Sequence, residues 1–188
     1  MKQNSEYRAI ARQKLSGNWT DAIVVSLIYC VITGLVDTFT TSFGHILILP
    51  MMYALPILFL RLHRGTPIKI EPLFSYYPDL RVWTTMLLKI VYLVLWTMLL
   101  IIPGFIKAYS YAMTEFIMED NPEIKNNEAI EASMSMMQGH KMDLFLLDLS
   151  FIGWIILSIL TFGIGFIWLS PYMNAARAAF YEDLKNNA

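Results

Sequence analysis

Residues 82–118 read VWTTMLLKIVYLVLWTMLLIIPGFIKAYSYAMTEFIM, and the length of this apolar run decides the fold. A single helix of roughly 37 residues would extend about 55 Å, far beyond a bilayer hydrocarbon core of about 30 Å. The run therefore has to break, and Pro103-Gly104 is the strongest breaker within it. Two helices joined by a tight hairpin follow, the second of them short.

The same logic extends outward in both directions. Leu144 to Tyr181 is again too long for one helix and is broken at Thr161-Phe162-Gly163-Ile164-Gly165. Upstream, one span is expected from about Trp19 to Val36, with Trp19 as an interfacial anchor. Another is expected from about Gly44 to Leu62, where Pro50 and Pro56 are tolerated because neighbouring helices satisfy the freed carbonyls. The chain is 56% hydrophobic and only 15% charged, too little charge to cover the exterior of a soluble domain of 188 residues. The expected fold class is thus an all-α membrane protein with about six short transmembrane helices arranged as three hairpins, plus amphipathic interfacial helices. As one membrane domain over 1–188, it divides into an N-terminal amphipathic helix (1–18), hairpin 1 (19–62), a cytoplasmic loop (63–81), hairpin 2 (82–118), a cytoplasmic interfacial helix (119–142), and hairpin 3 with the tail (143–188).

The interfacial helices have their own signatures. Tyr7, Ile10, Ala11 and Leu15 share one helical face, with Arg8, Arg12 and Lys14 left to face water or lipid phosphate. Between hairpins 2 and 3, Asp120 and Glu123 have capping-box spacing around Pro122, and Ile130, Met134 and Met137 fall on one face. The start is polar and the first apolar block has no small-residue cleavage site after it, so that block reads as a retained anchor. Lys and Arg concentrate in the N-terminus, 61–81, 119–142 and the C-terminus, while only Lys107 lies near the opposite connections. The positive-inside rule then places both termini in the cytoplasm. A four-span arrangement would need over-long helices.

A weak internal repeat matches Gly104 to Gly165, Phe105 to Phe166 and Tyr111 to Tyr172. Shared composition of two membrane hairpins is the competing explanation.

The stretches SGNWTDAI, LRLHRGTPIKIEPLFSYY, LLIIPGFIKAYSYAMTEFIMEDNPEI, SMMQGHKMDLF and LSFIGWIILSILTFGIGFIWLSPYMNAARAAFYEDL together resemble the uncharacterised bacterial integral membrane proteins catalogued as domain of unknown function 975. The resemblance implies a multi-pass helical fold in a bacterial plasma membrane, and brings no catalytic or binding residues with it.

Chemistry has few footholds. His45, His63 and His140 lack metal-ligand spacing, Cys30 is the single cysteine, and no nucleotide, serine-hydrolase or zinc-protease signature occurs. No cofactor or metal is expected. A net charge of −1 gives no reason to expect nucleic acid as a partner. The bilayer is the expected partner, and Ala175, Ala176, Ala178 and Ala179 would permit close helix packing within the chain or between protomers.

The informative pattern is the polar stripes inside the spans: Ser26, Tyr29, Thr33 and Asp37; Thr85, Lys89, Tyr92 and Trp96; Lys107, Tyr111, Thr114 and Glu115; Asp148; Ser170, Asn174, Arg177 and Tyr181. Each ionisable group costs about 2.5–3.5 kcal/mol at the bilayer centre, so these stripes should face the bundle interior or the cytoplasmic interface. Lys89, Glu115, Asp148 and Arg177 form the candidate intramembrane cluster. It is either a cytoplasm-facing polar cavity or a set of structural ion pairs. Glu115 and Arg177 lie at matching depth below Gly104 and Gly165, which suggests that they pair. The favoured functional reading is a non-enzymatic membrane accessory protein. The alternative is a binder or transporter of a small solute, lipid or peptide, and a membrane-embedded enzyme using Glu115 and Asp148 is the third.

Overall fold

The computed structural model describes residues 2–39 and 42–187, and of residues 37, 39, 42 and 43 the backbone alone. The expectation for Asp37 thus lies outside the described side chains. The described residues are all-α or turn. Helix α1 (Asn4–Leu15) leads into α2 (Trp19–Phe39), a 3-10 segment (Ser42–Ile48) and α3 (Leu49–His63). A short 3-10 turn (Glu71–Leu73) precedes α4 (Leu80–Leu99) and α5 (Ile101–Ser110). Then come α6 (Thr114–Asp120), α7 (Asn126–Met136), α8 (Lys141–Leu149), α9 (Ile152–Leu160) and α10 (Phe166–Asn187).

Four stretches are long and apolar enough to cross a membrane: Trp19–Val36, Gly44–His63, Leu80–Leu99 and Lys141–Leu160. The chain thus has the helices of a multi-pass membrane protein. Their surroundings differ. The α3 stretch is 67% buried, against 17%, 17% and 22% for the other three. Helix α3 is the hub, and the others turn Leu27, Val31, Leu95, Met98, Ile156 and Leu160 outward, as a lipid solvent permits. Helix α5, with ten residues, is about 15 Å long and crosses half a bilayer at most.

The break in the 82–118 run falls at Leu100, not at Pro103-Gly104. Leu100 is extended (φ −160°, ψ 139°), and the first hydrogen bond of α5 runs from the Gly104 amide to the Leu100 carbonyl. Pro103 therefore sits in the first turn of α5, where a missing N–H costs nothing. Gly104 does separate work. A Cβ there would lie 2.5 Å from Thr97 Oγ1 and 2.9 Å from its Cα, so only glycine lets α5 close onto α4. Hairpin α9–α10 repeats the device. A Cβ on Gly165 would meet Ser158 Oγ at 2.5 Å and its Cα at 2.7 Å. Both hydroxyls, seven residues before their glycine, bond back to the carbonyl four residues earlier: Thr97 to Leu93 at 2.8 Å and Ser158 to Trp154 at 2.7 Å. The matched glycines thus make the same close approach to the preceding helix, although Gly104 lies inside α5 and Gly165 just before α10.

The N-terminal helix forms as expected, but its apolar stripe meets protein. Tyr7, Ala11 and Leu15 are buried against α10, with the Tyr7 and Phe180 rings 5.4 Å apart. The four alanines of α10 are buried too, where α10 packs between α1 and α3 within the chain. The capping box expected at Asp120–Glu123 is displaced to Lys125–Glu128, where the Glu128 carboxylate accepts the Lys125 amide at 3.3 Å. Asp120 instead ends α6, and its carboxylate is taken by other partners.

Candidate functional site

Lys89 on α4, Glu115 on α6, Asp148 on α8 and Arg177 on α10 all line one partly open cavity of about 500 Å³ between α2, α3, α4, α5, α6, α8 and α10. Their pairing differs from the depth argument. Lys89 Nζ meets Glu115 Oε1 at 2.5 Å. Arg177 grips Asp148 with two bonds, Nε to Oδ1 at 3.1 Å and a terminal N–H to Oδ2 at 2.8 Å, a fork geometry that fixes direction as well as charge. Glu115 and Arg177 are thus not partners, although they face the same space.

The local chain path explains the difference. Helix α5 ends at Ser110, and Tyr111–Met113 form a turn before α6 begins. A turn in place of continuous helix resets the rotational position of Glu115 and carries it toward α4. The break would strand backbone groups in an apolar setting. Ser133, fully buried on α7, relieves this. Its hydroxyl accepts the Met113 amide at 3.1 Å and donates to the Ser110 carbonyl at 2.8 Å. Tyr109 completes the wall by donating to Asp148 Oδ2 at 3.2 Å. Tyr29, Phe105, Ala112 and Asn174 supply further lining. Lys107, the one basic residue near the far connections, sits over the Trp96 ring at 4.6 Å and approaches Met134 of α7 at 3.6 Å.

A second polar assembly was not anticipated. Glu119 and Asp120 at the end of α6 collect the ends of two other helices. Glu119 accepts Arg61 Nε at 2.9 Å and the Tyr76 hydroxyl at 3.0 Å. Asp120 accepts a two-pronged bond from Arg64 (2.6 and 2.8 Å), the Tyr181 hydroxyl at 2.7 Å and Lys185 at 2.7 Å. Burial pushes the Asp120 carboxyl up, but the bonds from Arg64, Lys185 and Tyr181 outweigh it and hold the group well below the usual carboxylate range. A third contact pins the chain ends. Asp183 Oδ2 accepts the Tyr7 hydroxyl at 2.6 Å and the Lys2 amide at 3.0 Å, with Lys2 Nζ on Oδ1. Here too burial raises the pKa, and the Lys2 and Tyr7 bonds bring it down to about 2.

The segments meeting at Glu119 and Asp120 are those quoted above as RLHRG, FIMED and FYEDL. Adjacent carboxylates following an apolar helix, with arginines at 61 and 64 one turn apart, were the available signal. No curated protein and no solved structure matches the chain. A family model described as protein of unknown function DUF975 matches residues 37–188, which include α3 to α10, both ion pairs of the cavity and the Glu119–Asp120 assembly, and the chain belongs to that family.

Proposed function

We propose that this is a non-enzymatic multi-pass protein of a bacterial plasma membrane that holds a small zwitterionic ligand, a solute or a headgroup, in the cavity between α2, α3, α4, α5, α6, α8 and α10. In this reading the chain crosses six times, with residues 101–118 and 166–181 supplying the passes beyond the four long apolar stretches, and both termini lie in the cytoplasm. The basic residues of the loops favour that orientation, and Lys107, the one cation expected near the opposite connections, packs against Met134 of α7.

The carrying observation is that two cations and two carboxylates from four different helices border one space. Such a site is neutral overall yet polar in both senses, so it suits a ligand bearing both charges better than a simple anion or cation. Tyr109 and Asn174 add neutral hydrogen-bonding groups. Catalysis is disfavoured because Glu115 and Asp148, the two carboxylates an acid–base mechanism would use, are each committed to a different cation. A purely structural role is the second reading, and the complete internal pairing favours it, since the cavity needs no ligand to balance its charge.

The test is native mass spectrometry of the detergent-purified protein. The wild type should retain a discrete non-protein mass that Ala112→Trp, which fills the cavity, loses while keeping its thermal midpoint. No retained mass, or the same mass in both proteins, would overturn the binding reading in favour of the structural one.

A further inference from the structure

A groove of about 680 Å³ lies on another face, between α1, the start of α2, α9 and the first half of α10. Its floor and walls are apolar, with Trp19, Trp154, Leu157, Trp168 and Leu169 among the lining. One end is different. Ser5, Arg8 and Arg12 of α1 border it, and their spacing of three and then four residues puts all three on one helical face.

Those arginines are unlike every cation of the cavity. Arg8 donates one N–H to the Ser150 carbonyl at 3.1 Å, at the break between α8 and α9. Neither guanidinium has a carboxylate partner among the described residues, and no acidic residue lines the groove. From Trp154 to Thr161 the apolar wall rises about 10 Å along α9. Trp154, Leu157 and Trp168 are each about half exposed (53%, 51% and 52%). A polar end with two unneutralised cations joined to an open apolar track matches an anionic amphiphile in both charge and shape.

We infer that this groove is a binding site for one anionic phospholipid of the surrounding bilayer, its phosphate held by Arg8 and Arg12 and one acyl chain lying against Trp154, Leu157 and Trp168. The lipid enters sideways, because α9 and α10 leave the groove open to the membrane. The site is independent of the cavity: none of its lining residues is shared with it.

Three of the five tryptophans, Trp19, Trp154 and Trp168, line the groove and serve as reporters. The full chain is reconstituted in phosphatidylcholine vesicles containing brominated phosphatidylglycerol or, at equal mole fraction, brominated phosphatidylcholine. Tryptophan quenching should show a preference for the anionic lipid of about fivefold or more, since one cation near an anionic headgroup already supplies about that factor. The Arg8→Gln/Arg12→Gln double variant should bring the ratio to about one. Should that variant fail to fold, Arg12→Gln alone carries the test, because the Arg12 side chain is exposed and has no hydrogen bond or ion pair among the described residues. Lys69→Gln/Lys125→Gln, removing two cations elsewhere, should keep the preference. Equal quenching by both lipids in the wild type, a preference that survives loss of the arginines, or one lost equally in the lysine variant would overturn the site.

Discussion

The cavity beside α4–α5 and the groove beside α9–α10 flank hairpins that share a close glycine contact and border two cations each, yet their electrostatics are opposite. In the cavity, Lys89 and Arg177 each hold a carboxylate. In the groove, Arg8 and Arg12 hold none among the described residues. Ion pairs in an apolar setting are costly to break, because either partner left alone is an uncompensated charge. Arginines without a carboxylate partner leave no opposite charge stranded when removed. Hairpins with the same glycine contact therefore border a site closed by its own charges and a site that needs an outside anion to complete it.

The hairpin glycines give the strongest way to break this comparison. Gly104→Val and Gly165→Val each drive a side chain into a neighbouring backbone, so no rotamer change on Thr97 or Ser158 relieves the clash. Overpacking of this kind costs about 1–3 kcal/mol, and each variant should show that loss in thermal unfolding in detergent. Their secondary effects should separate. Gly104→Val should reduce occupancy of the cavity, and Gly165→Val, whose glycine lines the groove, should reduce quenching by anionic lipid. Both variants impairing the same site would dissolve the distinction.

A smaller effect concerns the clasp that holds α1, and with it Arg8 and Arg12, onto α10. The folded state lowers the pKa of Asp183 from its ordinary 3.8 to about 2, so the folded state binds the proton less readily than the unfolded chain. The stabilisation is present above about pH 4 and is lost as pH falls through about 2. Asp183→Asn should cost roughly 1–2 kcal/mol at neutral pH, with Lys2 half exposed and its charge screened. The gap to wild type should shrink between pH 5 and pH 2. A gap independent of pH would mean that Asp183 acts through packing and not through its charge.

Much of this architecture is legible in the sequence, for reasons that particular residues make plain. The 82–118 run had to break because its length exceeds any hydrocarbon core, and α1 is visible in the spacing of Tyr7, Ala11 and Leu15. Hidden from the sequence is whatever depends on rotation about an axis. Counting rise per residue places Glu115 and Arg177 at equal depth and says nothing of which way either points, and the turn at Tyr111–Met113 decides that. Pro103 misleads for a related reason: proline ends a helix but also begins one, and hydropathy does not distinguish the two. The stripe of α1 is apolar whether it meets lipid or α10. Ser133 bridging the α5–α6 break is a long-range contact with no local signature.

The most direct test is a set of double-mutant cycles over Lys89→Met, Glu115→Gln, Asp148→Asn and Arg177→Gln, read as unfolding free energy in one detergent. Coupling of about 0.5–3 kcal/mol is expected for Lys89 with Glu115 and for Asp148 with Arg177, as for groups in direct contact. Glu115 with Arg177 should be close to additive. Coupling concentrated on Glu115 and Arg177, with the other two pairs additive, would contradict the charge pairing on which the cavity is built.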